Sequence, residues 1–157
     1  MSKIAIAAVL ALIGSAFSNA PASASEKVFN LPEIALKQQS DVRKVLGSPS
    51  KCEKIKQGEK CYFQKGLVEI VFIEGKADWI TVNYDNFPYG PDALPMIGLE
   101  KSKPTVSNNF VVSWNGVTHT TEEDASGATK FVTLALIQMN AGAPGRADGV
   151  YVKAATK

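Results

Sequence analysis

Cys52-Glu53-Lys54-Ile55-Lys56-Gln57-Gly58-Glu59-Lys60-Cys61 carries the reading that decides the fold. Ile55-Lys56-Gln57-Gly58 has the length of a four-residue hairpin loop, and Gly58 is free to take positive φ. Counting outward from that loop pairs Lys54 with Glu59, Glu53 with Lys60 and Cys52 with Cys61. Directly opposed residues on antiparallel strands lie close enough for a disulfide. The stretch therefore predicts a hairpin stapled by Cys52–Cys61, with a redox-active pair as the alternative. Closing so short a loop stabilises by about 2–3 kcal/mol in the chain-entropy picture. Two cysteines do not make a zinc site, which takes four ligands, and no metal is assigned.

On the N-terminal side, Leu31 to Leu46 carries helical signals. Ser40 suits an N-cap, and Asp41 sits in the first turn, where the helix dipole favours an acid. Val42, Val45 and Leu46 give one apolar face. Gly47 and Pro49 stop the helix. On the C-terminal side, Leu67 to Ile73 and Ala77 to Tyr84 read as strands around a Glu74-Gly75-Lys76 turn, with Trp79 and Ile80 on opposite faces. Asn86 to Pro95, rich in Pro and Gly, is a connector, and Ala93 to Leu99 a brief helical turn. Phe110 to Trp114 is a strand. Asn115-Gly116 is the strongest two-residue hairpin signal in the chain, with Val117 to Thr121 returning. Glu122 to Gly127 is a polar loop. Thr129 to Met139 is a long apolar strand or a buried helix, and Phe131, Val132, Thr133 and Ile137 favour strand. Asn140 to Gly149 is a loop, and Val150 to Lys153 a short closing strand at an edge.

This order predicts an α+β fold with antiparallel sheet and one or two short helices. Two small sub-units, residues 25–85 and 86–157, pack side by side or share one curved sheet. Leu46-Gly47-Ser48-Pro49 before the first sheet and Ile97-Gly98-Leu99 before the second form a faint internal repeat. The stretch Ser40-Asp41-Val42-Arg43-Lys44-Val45-Leu46-Gly47-Ser48-Pro49, with Phe72-Ile73-Glu74-Gly75-Lys76-Ala77-Asp78-Trp79-Ile80, resembles the helix-to-sheet corner of the SmpA/BamE-like group. The same unit occurs twice in β-lactamase-inhibitor-like proteins. The resemblance implies a fold used for protein binding and carries over no catalytic residue.

Residues 1–24 read as a secretory signal peptide. Lys3 supplies the charge, Ile4 to Ile13 is apolar, and Ala22-Ser23-Ala24 is the cleavage site, with Ala20 as a second candidate. The apolar run is shorter than the roughly 20 residues a membrane-spanning helix needs, and no Cys near the cleavage region could take a lipid. The expectation is a secreted or periplasmic chain without a membrane anchor. The sequence has 17 Lys+Arg against 15 Asp+Glu. Loss of Lys3 leaves 16 against 15, which is no footprint for nucleic acid.

The chain's one histidine, His119, precedes Glu122, Glu123 and Asp124. A small hydrolase or metal-dependent enzyme using these residues is one functional class, although their spacing matches no known ligand pattern and His119 reads as an exposed hairpin end. There is no G-x-S-x-G elbow, P-loop or dinucleotide fingerprint, and no cofactor is assigned. The leading class is a non-catalytic module that binds a protein partner. Its expected contact face combines Phe87 and Tyr89, in the connector, with Lys54 and Lys56 on the Cys hairpin, facing an acidic surface. Tyr84 and Trp114 are further aromatics of interest, and covering the core is the alternative role for all four.

Overall fold

The computed structural model describes residues 26–123 and 126–154. The signal-peptide assignment on residues 1–24 lies outside them. Among the described residues nine strands form one antiparallel sheet in the order β1-β2-β3-β4-β9-β8-β7-β6, with β5 also paired to β9. The strands are β1 Lys51–Ile55, β2 Gly58–Phe63, β3 Val68–Ile73, β4 Lys76–Val82, β5 Phe87–Pro88, β6 Val106–Ser107, β7 Val111–Glu123, β8 Thr129–Ala141 and β9 Arg146–Ala154. One α-helix, α1 (Gln39–Leu46), and short 3-10 turns complete the described elements. Strand predominates among the described residues, so the fold is predominantly β and corrects the expected α+β arrangement of two sub-units.

The correction originates in β9. The sequence reading put Val150 to Lys153 at an edge, but β9 lies mid-sheet. Ile80 pairs with Val152 and Val82 with Val150 on one side; Ile137 pairs with Val152 and Met139 with Val150 on the other. Ala147, Val150, Val152 and Ala154 are buried, and a strand this apolar on one face gains most in the middle, where both neighbours cover it. β9 joins the two halves of the chain into a continuous sheet. The Asn140 to Gly149 loop shortens accordingly, to a tight turn closed by Gly142 N–H donating to the Arg146 carbonyl and Arg146 N–H to that of Ala143.

The core lies on one side of the sheet. Phe63, Ile70, Ile80, Leu134, Ile137 and Trp114 point into it, and Phe29, Leu31, Ile34, Val42, Phe87, Leu94 and Ile97 cover them. Backbone bonds pin this cover down: Leu36 N–H donates to the Ala77 carbonyl (2.8 Å), and Phe29 N–H to that of Met96 (3.0 Å). The helix begins at Gln39 with Gln38 as its extended N-cap, correcting Ser40. Gln38 bridges Lys76 on β4, and that pairing sets where the chain turns helical. Val42 is buried, whereas Val45 is 46% exposed and leaves the expected apolar face.

The Cys hairpin forms in the register read from the sequence, with Cys52 opposite Cys61, Glu53 opposite Lys60 and Lys54 opposite Glu59. The disulfide joins residues whose Cα atoms are 4.1 Å apart. Ile55 already pairs with Gly58, so the loop proper is Lys56-Gln57. Gly58 is required by proximity: a Cβ there would lie 2.0 Å from the Phe72 carbonyl oxygen of β3.

Asn115-Gly116 is not a hairpin. β7 runs straight through it, with Asn115 opposite Leu136 and Val117 opposite Leu134. Gly116 has φ +66°, and this conformation inverts the pleat instead of the chain. Before it, Val112 and Trp114 are buried; after it, the buried residue is His119, of opposite parity. On β8 the parity changes at the facing position, from Ile137 and Met139 to Leu134. Both strands bend together and keep facing the core.

Three consequences are measurable. Gly116→Ala meets nothing within 4 Å, so urea denaturation should show only the left-handed backbone cost of about 1–2 kcal/mol. Gly58→Ala must displace β3 and should cost more; equal stability of Gly58→Ala and wild type would refute the close approach. Reduction should release two thiols and lower stability by about 2–3 kcal/mol. The β-rich circular dichroism spectrum should persist, because most of the core lies away from the bridge.

Candidate functional site

The register defines the sheet's second side. Residues opposed across successive strands form two rows. One runs Tyr62, Glu69, Thr81, Tyr151, Gln138, Ser113; the other runs Glu53, Lys60, Val71, Trp79, Lys153, Leu136, Asn115. Trp79 is 40% and Tyr151 38% exposed, although both belong to central strands. Together with Thr81, Leu136 and the Lys153 stem they line a mostly apolar groove of about 390 Å³.

The charges around this groove neutralise one another. Lys60 Nζ lies 2.6 Å from Glu69; farther out, on β1, Lys51 Nζ lies 2.7 Å from Glu53. Lys153 pairs with Asp78, which is fully buried, and also donates to the Ala154 carbonyl. The β3–β4 register skips Asp78. Tyr62 donates to Glu53 (2.7 Å) and carries Lys60 over its ring at 4.9 Å. The glutamate beside Lys60 holds that ammonium's pKa above its usual value. The result is an apolar centre with a polar, internally paired rim.

The residues expected to form a contact face are not brought together. Phe87 is fully buried, packed edge-on against Tyr84 at 5.1 Å, because β5 lies on β9 and turns the ring into the core. Tyr89 is half-buried and donates to the Asn108 carbonyl (2.9 Å). Lys54 and Lys56 are exposed, but on β1 and its turn. β1 stands four strand spacings from β9, roughly 19 Å. Trp114 is buried, its indole N–H donating to the Ser102 carbonyl. The core-covering role therefore holds for Phe87 and Trp114, and the structure does not bring Phe87, Tyr89, Lys54 and Lys56 together on one exposed face.

His119 also departs from expectation. It is 8% exposed and lines a second cleft, of about 620 Å³, between β7 and Gly98–Lys103. Nδ1 lies 3.3 Å from the Thr120 carbonyl, and Nε2 is the one buried side-chain N or O atom without a partner among the described residues. Burial holds its pKa below the ordinary value, with the Thr120 bond opposing in part. The side chains of Glu122, Glu123 and Asp124, the acids paired with it in the enzyme reading, lie outside the described residues. Of the groups able to hold a metal, Cys52, Glu59 and Cys61 converge, but both sulfurs are spent in the disulfide. Gln39 Nε2 donates to Glu59 at 2.7 Å.

The buried imidazole predicts a pH effect. Well above pH 6.5 both folded and unfolded chains hold it neutral. Below that value the unfolded chain takes up the proton first, because the folded pKa is lowered, so stability falls with pH. Melting temperature should decline from pH 7 toward pH 5, and less steeply in His119→Gln; parallel profiles would show that His119 is solvated. No protein-family model, no curated protein and no solved structure matches this chain, so its function is argued from the geometry.

Proposed function

We propose that this protein is a non-catalytic binding module that works outside the cytoplasm, secreted or periplasmic, and holds a protein partner on the open face of its sheet. The carrying observation is the Trp79–Leu136–Tyr151 groove on the side that α1 and the connector leave uncovered. Aromatic residues at the centre of a patch carry a disproportionate share of interface energy, and a polar rim excludes water around them. Because the nearby charges pair among themselves, the groove suits an apolar partner surface better than an acidic one. The disulfide accords with an oxidising compartment, and no described helix is long and apolar enough to cross a membrane. The resemblance of Ser40–Pro49 to SmpA/BamE-like proteins supports the same class of function.

The chain has two tryptophans. Trp114 is buried and Trp79 exposed, so iodide quenching reports mainly on Trp79. A partner captured from the envelope fraction and purified should shield Trp79 from iodide. Trp79→Ala/Tyr151→Ala should weaken its affinity at least about 30-fold, equivalent to the loss of a hot spot of about 2 kcal/mol. Lys54→Ala/Lys56→Ala should bind as wild type. Loss of binding in the lysine variant alone would reverse the assignment, and concentration-dependent dimerisation that shields Trp79 would make the occupant a second copy.

A further inference from the structure

The second cleft lies along an unpaired strand edge. β6 covers β7 only at Val112 and Ser113. Thr105 extends that cover slightly, its N–H donating to the Ser113 carbonyl and its Oγ1 accepting from Asn115 N–H. From Gly116 to Glu123, β7 has β8 on one side and no described strand on the other. Trp114 to Thr120 are seven consecutive residues, and all of them line the cleft. Side chains of a strand alternate between faces. A cleft touched by every successive residue must therefore run along the backbone edge rather than over one face. Gly98–Lys103 forms the opposite wall.

We propose that this edge, Gly116 to Thr120, is a second docking site, which accepts an extended peptide segment of a partner protein as an added strand. Three observations support that occupant. First, the edge already pairs with a strand, because the two-residue β6 occupies its start and the cleft begins where β6 ends. Second, the outward N–H and C=O groups of a strand edge without a neighbouring strand are a template for another extended backbone. With Nδ1–H directed at the Thr120 carbonyl, His119 Nε2 is left as a buried acceptor without a partner just behind the cleft's lining. Third, Gly98–Lys103 lines the same cleft, so a strand added at this edge would also touch that segment. Five residues of edge span roughly 17 Å, the reach of a five- or six-residue segment. On the Gly98–Lys103 wall Lys101 is paired with Asp92, and the opposite charges of Glu100 and Lys103 favour a neutral one. This site is independent of the Trp79 groove.

The probe is a capped, fluorescein-labelled peptide of alternating threonine and valine, about six residues long. Its control is the same peptide N-methylated at alternate residues on either edge. The unmodified peptide should raise anisotropy saturably, and N-methylation on one of the two edges should weaken binding about tenfold or more, the loss of two or three backbone hydrogen bonds. Amide shifts should concentrate at Gly116–Thr120, with a change at the His119 ring. Any of four results would overturn the proposal: equal binding of all three peptides, no saturable binding at millimolar concentration, shifts confined to the Trp79 face, or protection from exchange in the free protein of those Gly116–Thr120 amides that point away from β8. The last would place a segment of this chain in the cleft.

Discussion

The pairing of β9 with both β4 and β8 holds this molecule together. Without it the chain would contain two separate antiparallel ladders, β1 to β4 and β6 to β8. Each would expose an inner edge. With it, Ile80, Val152 and Ile137 line up across three strands, and the core runs unbroken beneath them. The Lys153–Asp78 pair lies at the same seam. A buried carboxylate stripped of its cation is costly, so this contact favours the register in which Trp79 opposes Lys153 over one displaced along the strand. β9 thus supplies strand pairing, core packing and alignment together.

The two sides of the sheet follow from this arrangement. N-terminal residues and the connector cover one side through Leu31, Ile34, Leu94 and Ile97. Among the described residues no element gives the other side such cover, and its aromatic residues are half solvated beside lysines paired with acids. Gly116 extends the core side beyond the point where β6 ends. By inverting the pleat, it turns His119 inward on a stretch of β7 that only β8 supports. The same glycine bounds the cleft where strand edge and orphan imidazole nitrogen meet.

Local features were legible in the sequence. The Cys hairpin could be counted out because its loop and cysteine spacing agree, and the Glu74-Gly75 turn was marked by its glycine. The opposite orientations of Trp79 and Ile80 followed from strand alternation. Long-range order was not legible. Nothing in Val150-Tyr151-Val152 says which strands it will join, so Tyr151 could not be placed beside Trp79 and the groove was missed. Asn115-Gly116 misled because a glycine at positive φ serves a reversal and a pleat inversion equally well, and only the partner strand decides between them. Phe87 looked exposed because it sits among Pro and Gly residues; its two-residue pairing with β9 is what turns it inward.

The central place of a strand so late in the chain also orders events during synthesis. The hairpins β1–β2, β2–β3, β3–β4 and β7–β8 each join neighbours in sequence and need little loop closure. Seams involving β9 divide into one that is local, with β8, and one that spans the connector and the whole β6–β8 ladder, with β4. A growing chain therefore carries the Trp79–Val82 edge of β4 bare, with Ile80 and Val82 unscreened, until β9 emerges. That interval is when intermolecular pairing competes with folding, and chaperone engagement would be most valuable then.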